Sequence, residues 1–213
     1  MMLFCVMPTS SGYAMECGAS PSFSDARETF TIKAVGDIVL GTTWPQNRIP
    51  PDVEHRFFKG VAKELSGADI LFGNLEGALT DFDKTRKDPS RGTQFAFRMP
   101  PRFAGVLQNA GFSVLSLANN HSSDFGPIGL ADTRDALQTH GILGVGLKND
   151  IVYQQIRGTR IAWIGFSYLG LHNSIHDLNE VARLVSEADR SAKLVIVTFH
   201  GGAEGSDALR VFD

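Results

Sequence analysis

The segment SVLSLANNHSSDFG, residues 113–126, carries the strongest signal in this sequence for both fold and chemistry. Its apolar run VLSLA has the length and bounds of a buried β-strand. The polar residues that follow this run are Asn119, Asn120, His121 and, three positions later, Asp124. Polar groups at the carboxyl end of a strand stand at the edge of an open α/β sheet, where such sheets bind ligands. The segment therefore suits metal-assisted hydrolysis, because Asn120 offers an oxygen ligand and His121 can move a proton near neutral pH.

Three other apolar runs end in the same way. The predicted strand at residues 30–35 is followed by Asp37, and the one at 69–72 is followed by Asn74 and Glu76. The predicted strand at residues 194–199 is followed by His200. Because the carboxyl ends of parallel strands can meet at one edge, we expect these groups to converge although they are far apart in sequence. Two carboxylates, an amide oxygen and an imidazole suit manganese, iron, zinc or magnesium, and the absence of thiolates argues against a structural zinc site. Two ions ~3.5–4 Å apart would clamp the attacking and leaving oxygens of a phosphoryl transfer.

Strands alternate with helices along the rest of the chain. Helical periodicity predicts helices at residues 53–65, 101–110, 129–140 and 178–190. A short strand is predicted at residues 142–145, and two strands at 151–156 and 160–166 are expected to form a hairpin. The polar segment 80–98 is predicted to be a surface loop. This alternation predicts an α/β fold, and the hairpin makes its sheet mixed rather than purely parallel.

Composition indicates one globular domain behind a short leader. The chain has 213 residues, of which 43% are apolar and 20% charged, which is enough to bury a full core. Residues 1–28 are rich in Ser, Gly, Pro and Thr and are predicted to be a disordered leader, whereas residues 29–213 are predicted to form the domain. The apolar residues 1–7 have no preceding positive charge and make no convincing signal peptide, and no stretch reaches the ~20 apolar residues of a membrane span. The compartment stays open.

The charge pattern bears on the partners. A net charge of −3, with Lys and Arg scattered along the chain, gives no basic face for a nucleic-acid backbone, so a nucleic-acid partner is not expected. Arg98 and Arg102, near the strand of the 113–126 segment, are the only candidates for contact with a polyanion. His172 and His176, four residues apart in a segment predicted to be a loop, are weaker candidates for substrate or metal contact.

Four motifs in order resemble the bacterial capsule synthesis protein CapA family, also called PGA-cap. They are GDIVLG at residues 36–41, GNLEGALT at 73–80, SLANNHSSDFG at 116–126 and FHGGAE at 199–204. That family lies within the calcineurin-like metallophosphatase superfamily and is associated with poly-γ-glutamate. The resemblance implies a mixed-sheet sandwich flanked by helices, of the four-layer αββα type, with a metal-dependent phosphoesterase-type site. It also implies an anionic partner, either a phosphoester or poly-γ-glutamate, and the bacterial cell envelope as the location.

The resemblance also implies roles for individual residues. Asp37, Asn120 and His200 would be metal ligands, and Glu76 would supply the carboxylate that superfamily members usually carry at the position of Asn74. Asn74 would be a supporting hydrogen-bonding residue. Catalysis would fall to His121, as general acid or as a hydrogen-bond donor in the transition state.

For several of these residues the sequence itself allows more than one role. Asn119 is expected to hold a turn through backbone hydrogen bonds, and Asn74 and Asn119 are also the candidates for substrate contact. Asp124 would either orient His121 or cap the start of a helix. For Asp37, Glu76 and His200 the alternatives are a turn residue, a solvated loop carboxylate and a satisfied histidine at a strand end.

Two departures from the family pattern define a second hypothesis. The family usually has His-Trp-Gly where this sequence has His200-Gly201-Gly202, and it continues into a Gly-His-His-Pro-His type motif, whereas no histidine follows His200 here. The first hypothesis is a metal-dependent hydrolase. The competing hypothesis is a non-catalytic protein, either a capsule-assembly scaffold or a truncated form that lacks the C-terminal part of the fold. A truncated sheet would expose apolar strand edges that favour association with another chain.

Overall fold

The computed structural model describes residues 2–8, 29–88, 94–169 and 171–202. The strands in these ranges are β1 (Met2–Pro8), β2 (Ile32–Ile38), β3 (Ile70–Leu75), β4 (Ala78–Leu79), β5 (Arg98–Met99), β6 (Val114–Ser116), β7 (Leu143–Val145), β8 (Val152–Ile156), β9 (Thr159–Ser167), β10 (Asn173–Ser174) and β11 (Leu194–His200). The helices are α1 (Val53–Arg56), α2 (Ala62–Leu65), α3 (Phe103–Asn109), α4 (Gly126–Thr139) and α5 (Leu178–Ser191), with a short 3-10 helix at Lys59–Val61.

The strands form two larger sheets. The first has the order β2-β3-β6-β7, and all its pairs are parallel. The second has the order β1-β11-β9-β10, with β8 also paired to β9; its β11–β9 and β9–β10 pairs are parallel, while β1–β11 and β8–β9 are antiparallel. The predicted mixed α/β character is thus confirmed. A two-stranded parallel bridge, β4–β5, lies apart from both sheets.

The core clusters define four layers. Between the sheets, Phe72 of β3 stacks on Trp163 of β9 with ring centroids 5.3 Å apart, and both side chains are fully buried. The outer face of the first sheet packs on α3, where Phe103 and Leu107 are fully buried. The outer face of the second sheet packs on α5 through Leu184. The order helix, sheet, sheet, helix confirms the predicted αββα architecture, since each sheet buries one face against the other and one against helices.

Local sequence explains several element boundaries. Arg157 and Gly158 both adopt positive φ, 44° and 75°, which is the backbone of the tight turn that joins two antiparallel strands with a matching twist. The predicted hairpin is therefore confirmed as β8–β9. Helix α5 begins after Asp177, whose side chain accepts a hydrogen bond from the Glu180 amide at 3.0 Å and so caps the helix.

The first residues of the predicted disordered leader form a β-strand in the structure. The backbone of Met2–Pro8 forms β1 and pairs antiparallel with β11 along its whole length. This apolar run lies on a β11 edge whose N–H and C=O groups would otherwise lack partners, which is the physical reason for the strand. β1 therefore covers this edge of β11. The rest of the leader, residues 9–28, lies outside the described residues.

One predicted helix is broken. The periodicity over residues 53–65 yields α1, the 3-10 turn and α2 rather than one continuous helix. Gly60 lies in the middle of the segment and has a low helix propensity, and Phe57 and Val61 are 39% and 47% exposed, so no single apolar stripe is buried. Helix α4 also begins three residues earlier than predicted, at Gly126. None of the helices in the described ranges is long and apolar enough to cross a bilayer.

Candidate metal centre

Four strand ends place polar side chains at one edge of the sheets. Asp37 in β2, Glu76 just after β3 and His200 at the end of β11 each offer one ligand atom, and these atoms lie within 4.8 Å of one another. Asn120, in the loop after β6, joins them because its Oδ1 lies 2.9 Å from His200 Nε2. The structure therefore brings together the residues that the sequence proposed as metal ligands.

The donor set fits a divalent cation. Two carboxylates this close repel each other unless positive charge lies between them, and their side chains remain 44% exposed for Asp37 and 16% exposed for Glu76, so solvent ions reach them. Carboxylate and amide oxygens with one imidazole nitrogen form a ligand set that several biological divalent metals accept. The arrangement therefore has the chemistry of a metal site, as the sequence expected.

An irregularity in β2 positions Asp37. The register between β2 and β3 pairs Ala34 with Phe72 but Asp37 with Asn74, so β2 contains one extra residue just before the carboxylate. Such a bulge bends a strand and redirects the next side chain, and bulges are frequent beside functional sites. The neighbouring β3 residue is Gly73, and a Cβ there would lie 2.5 Å from Ile38 Cδ1, so a larger residue would require the Ile38 side chain to shift.

Asn74 and Asn119 form a buried support beneath the cluster. Asn74 Nδ2 donates to Asp37 Oδ1 at 2.7 Å and lies 3.2 Å from His200 Nδ1, while its Oδ1 accepts from Asn119 Nδ2 at 3.0 Å. The Asn119 Oδ1 accepts from the amides of His121 and Ser122, which holds the turn of the ANNH segment. Because Asn74 and Asn119 are 1% and 0% exposed, direct substrate contact, which the sequence left open for both, is not available to them in this structure.

Both ring nitrogens of His121 lie near a carboxylate. Its Nδ1 lies 2.9 Å from Asp124 Oδ2, and its Nε2 lies 3.9 Å from Glu76 Oε1. A proton on Nδ1 donates to the carboxylate and turns Nε2 toward the cluster. The ring of Phe97 packs against the imidazole with centroids 4.4 Å apart. Two roles were proposed for Asp124, orienting His121 and capping a helix. Its carboxylate lies beside His121, and α4 begins after Phe125 without a side-chain cap, so the geometry favours the orienting role.

Lys87 is a partner of this pair that the sequence did not reveal. Its Nζ lies 2.5 Å from Asp124 Oδ1 and 3.2 Å from His121 Nδ1. The Asp124 side chain has no solvent exposure, so Lys87 and the Phe97 amide, which donates to Oδ2 at 2.8 Å, compensate the buried charge. The only sequence signal was a Lys in the polar segment 80–98, whose mixed charges gave no reason to single it out.

The two arginines proposed for polyanion contact are used elsewhere. Arg98 donates to Thr43 Oγ1 at 2.8 Å and lies over the Phe125 ring, 5.8 Å from its centroid. Arg102 forms an exposed ion pair with Glu54 at 2.8 Å. Both side chains therefore have partners within the chain, and contact of either with a polyanion stays a prediction.

His172 supports the ANNH turn from the loop after β9. It is buried, its Nδ1 lies 2.9 Å from the Gly146 carbonyl and its Nε2 3.0 Å from Ser122 Oγ. Burial lowers the pKa of His172 below 6.5, because desolvation penalises the imidazolium, although backbone hydrogen bonds partly oppose this. The neutral ring donates from Nδ1 and accepts the Ser122 hydroxyl at Nε2. His176, by contrast, is exposed.

The lowered pKa of His172 predicts an acid-sensitive stability. The unfolded chain binds a proton at this residue more readily than the folded chain. The contribution of His172 to the free energy of unfolding is therefore fully present above pH 6.5 and is lost as the pH falls through the lowered folded pKa. Denaturant unfolding at pH 7.5 and at pH 5.5 measures this slope. We expect His172→Gln to reduce the slope and His176→Gln to leave it unchanged; equal slopes in wild type and His172→Gln would contradict the assignment.

Comparison with known proteins identifies the family. The family described as bacterial capsule synthesis protein PGA_cap matches residues 31–210. The chain has a four-layer αββα fold with an acidic and histidine-containing cluster at the strand ends, and it belongs to this family. The capsule biosynthesis protein CapA of Bacillus anthracis is 28% identical over 200 residues, which cover 83% of this chain and 47% of that protein.

Two further relatives agree with this assignment. The PGA biosynthesis protein CapA of Bacillus subtilis (strain 168) is 28% identical, covering 86% of this chain and 51% of that protein. A probable polyglutamine synthesis accessory protein of Mycobacterium tuberculosis is 33% identical over 136 residues, covering 62% of this chain and 34% of that protein. This chain spans about half the length of the two CapA relatives. A solved structure of a putative 5'-nucleotidase from Staphylococcus aureus is similar at a TM-score of 0.43 and 16% identity, covering 83% of this chain and 38% of that one.

Proposed function

We propose that this chain carries a metal-dependent hydrolase site of the metallophosphoesterase type and acts in the synthesis of a capsule polymer such as poly-γ-glutamate. The observation that carries the proposal is the convergence of Asp37, Glu76 and His200 within 4.8 Å, with His121 beside them. Family membership supports the capsule role, because relatives are described as capsule and PGA biosynthesis proteins. The bacterial cell envelope is the location that this role implies.

The proposed ligands are Asp37, Glu76, Asn120 and His200, and they would hold a pair of divalent ions chosen from manganese, iron, zinc or magnesium. A bound ion supplies Lewis-acid polarisation of a phosphoryl or carbonyl oxygen. Asn74 keeps Asp37 in position through its 2.7 Å hydrogen bond and so limits the motion of one ligand. Supporting hydrogen bonds of this kind are known to orient metal ligands in proteins.

The proposed proton transfer belongs to His121. Asp124 accepts the Nδ1 proton, which fixes the ring and leaves Nε2 directed at the cluster, 3.9 Å from Glu76 Oε1. To act as general acid, His121 would be in its imidazolium form, in which Nδ1–H donates to Asp124 and Nε2–H gives its proton to the leaving oxygen of an ester or to the nitrogen of an amide. General acid catalysis by a positioned imidazole typically contributes ~10²–10⁴-fold to the rate.

Metal titration combined with a turnover assay tests the proposal. Purified metal-free protein is titrated with Mn²⁺, its metal content is measured by elemental analysis, and hydrolysis of an aryl phosphate is followed with Mn²⁺, Fe²⁺, Zn²⁺ and Mg²⁺ in turn. We expect tight binding and metal-dependent hydrolysis. Tight binding without hydrolysis of the aryl phosphate with any of the four metals would favour the non-catalytic scaffold, and absence of both binding and hydrolysis would contradict the metal site.

A further inference from the structure

Asp124 holds the His121 ring through one of its two carboxylate oxygens. Its Oδ2 lies 2.9 Å from His121 Nδ1 and also accepts the Phe97 amide at 2.8 Å. Its Oδ1 lies 2.5 Å from Lys87 Nζ and accepts no hydrogen bond from any other group in the part of the chain that the structure describes. The Asp124 side chain has no solvent exposure, so water does not reach this oxygen. Lys87 is therefore the group that fixes the second oxygen.

The geometry of a carboxylate explains why the second oxygen matters. The torsion that rotates a carboxylate about its Cβ–Cγ bond is broad, so one anchored oxygen does not fix the plane of the group. The contacts of Asp124 with the imidazole and with the Phe97 amide both lie at Oδ2, which would let the carboxylate pivot about that atom. The Lys87 ammonium at Oδ1 removes this freedom. It also lies 3.2 Å from His121 Nδ1, where the ring and the carboxylate meet.

Thr85 places Lys87 at this position. Its hydroxyl donates to the Asp124 carbonyl at 2.6 Å and accepts the Lys87 amide at 3.1 Å, so one side chain ties both backbones together. A hydroxyl that accepts the amide two residues later closes a tight turn. The Lys87 side chain is 29% exposed and reaches the buried carboxylate from the surface. The segment from Thr85 to Lys87 is therefore docked on Asp124 through both a backbone contact and an ion pair.

We propose that Lys87 is a positioning residue for His121, which acts through Asp124 and keeps Nε2 of the ring directed at the metal centre. Compensation of the buried charge alone would need only a cation near Asp124. The contact at Oδ1, away from the oxygen that holds the ring, also fixes the plane of the carboxylate, and such supporting contacts lock functional side chains in one orientation. The inference rests on the proposed function only for its effect on the rate, because the orientation of the ring requires neither metal nor turnover.

Nitrogen NMR of the metal-free protein at a fixed pH tests this orientation. The His121 ring signals are assigned by their absence from His121→Ala, and a slowly exchanging proton on Nδ1 reports the contact with Asp124. Lys87→Met removes the ammonium and keeps an unbranched side chain, and we expect the Nδ1 proton signal to be lost through faster exchange. Lys87→Arg restores a cation and should recover the signal. Lys84→Met removes an exposed cation of the same segment and should match wild type.

A second variant keeps the test decisive if Lys87→Met does not fold, which its amide spectrum would reveal. Thr85→Val keeps every charge and removes the hydroxyl that ties Lys87 to Asp124, so it should also weaken the Nδ1 signal. A signal lost in Lys87→Met and recovered in Lys87→Arg supports the proposal. It is overturned if folded Lys87→Met keeps the wild-type signal, if Lys84→Met loses it equally, or if Lys87→Met does not fold and Thr85→Val keeps it.

Turnover separates this inference from the proposed function. With Mn²⁺, Lys87→Met should lower kcat for alkyl phosphates by up to about 10²-fold, the size of effect that a small displacement of a reacting group can have, and leave KM and Mn²⁺ affinity unchanged. Rates on aryl phosphates with acidic phenols should change little. An equal loss of kcat on all these esters would make Lys87 a structural residue and overturn the proposal. If wild type hydrolyses no phosphoester, the proposed function fails, and the NMR result still decides whether Lys87 positions His121.

Discussion

Replacing Glu76 with glutamine is expected to weaken Mn²⁺ binding at least about 100-fold while leaving the fold intact. Loss of a supporting residue around a metal typically costs ~10–100-fold in affinity, so loss of a direct ligand should reach the upper end of that range or exceed it. Glutamine has the shape of glutamate, and the Glu76 side chain is 16% exposed, so the substitution removes charge without opening a cavity. The measurement is a competitive Mn²⁺ titration of wild type and variant.

Thermal stability provides a second readout for Glu76→Gln. At a metal concentration of about 100 times Kd, binding to the native state adds about 2.7 kcal/mol to the free energy of unfolding, and a 100-fold weaker site retains about 0.4 kcal/mol of that gain. Without metal the variant should be at least as stable as wild type, because Asp37 loses a like-charged neighbour. A metal-free variant that unfolds earlier than wild type would instead indicate a structural role.

Glu54→Gln is the matched control for this experiment. Glu54 is an exposed glutamate that pairs with Arg102 at 2.8 Å and lies outside the described Asp37, Glu76 and His200 cluster. An exposed ion pair of this kind contributes little to stability. The control should bind Mn²⁺ like wild type, and comparable weakening in both variants would attribute the effect to net charge and contradict Glu76 as a ligand.

The convergence of the site was accessible from the sequence because it follows from the fold. Once the apolar runs are assigned as strands, the rule that carboxyl ends of neighbouring parallel strands share one edge brings Asp37, Glu76 and Asn120 together in the first sheet. His200 reaches them from β11 of the second sheet, so its approach depends on how the two sheets pack. Asn119 was also foreseen as a turn residue, since a short amide after a strand bonds backbone groups readily. Apart from the packing of the two sheets, these inferences depend on periodicity and on the residues at strand ends.

The loop partners were not accessible in the same way. Lys87 and Phe97 reach His121 from the segment 80–98, which has no period and whose path depends on tertiary contacts such as the hydrogen bond from Thr85 Oγ1 to the Asp124 carbonyl at 2.6 Å. The pairing of Met2–Pro8 with β11 was missed for a related reason, because a strand that completes an edge is selected by its partner more than by its own composition.

Replacing His121 with alanine is expected to lower kcat for a phosphoester with a poor leaving group by about 10²–10⁴-fold while the protein still binds Mn²⁺. The reason is geometric: Asp124 holds the ring at Nδ1, and Nε2 lies beside Glu76 without belonging to the Asp37, Glu76 and His200 group. An alkyl phosphate needs a proton at its leaving oxygen, whereas an aryl phosphate with an acidic phenol leaves with little assistance.

A series of phosphoesters graded by leaving-group pKa separates this role from metal binding. If His121 donates the proton, His121→Ala loses most activity on the poorest leaving groups and least on the best ones, and rates depend more steeply on leaving-group pKa than in wild type. His55→Ala, an exposed histidine outside the site, is the control and should follow wild type. A uniform loss across the series together with reduced Mn²⁺ content would make His121 a ligand instead, and an unchanged kcat would contradict any part for it in proton transfer.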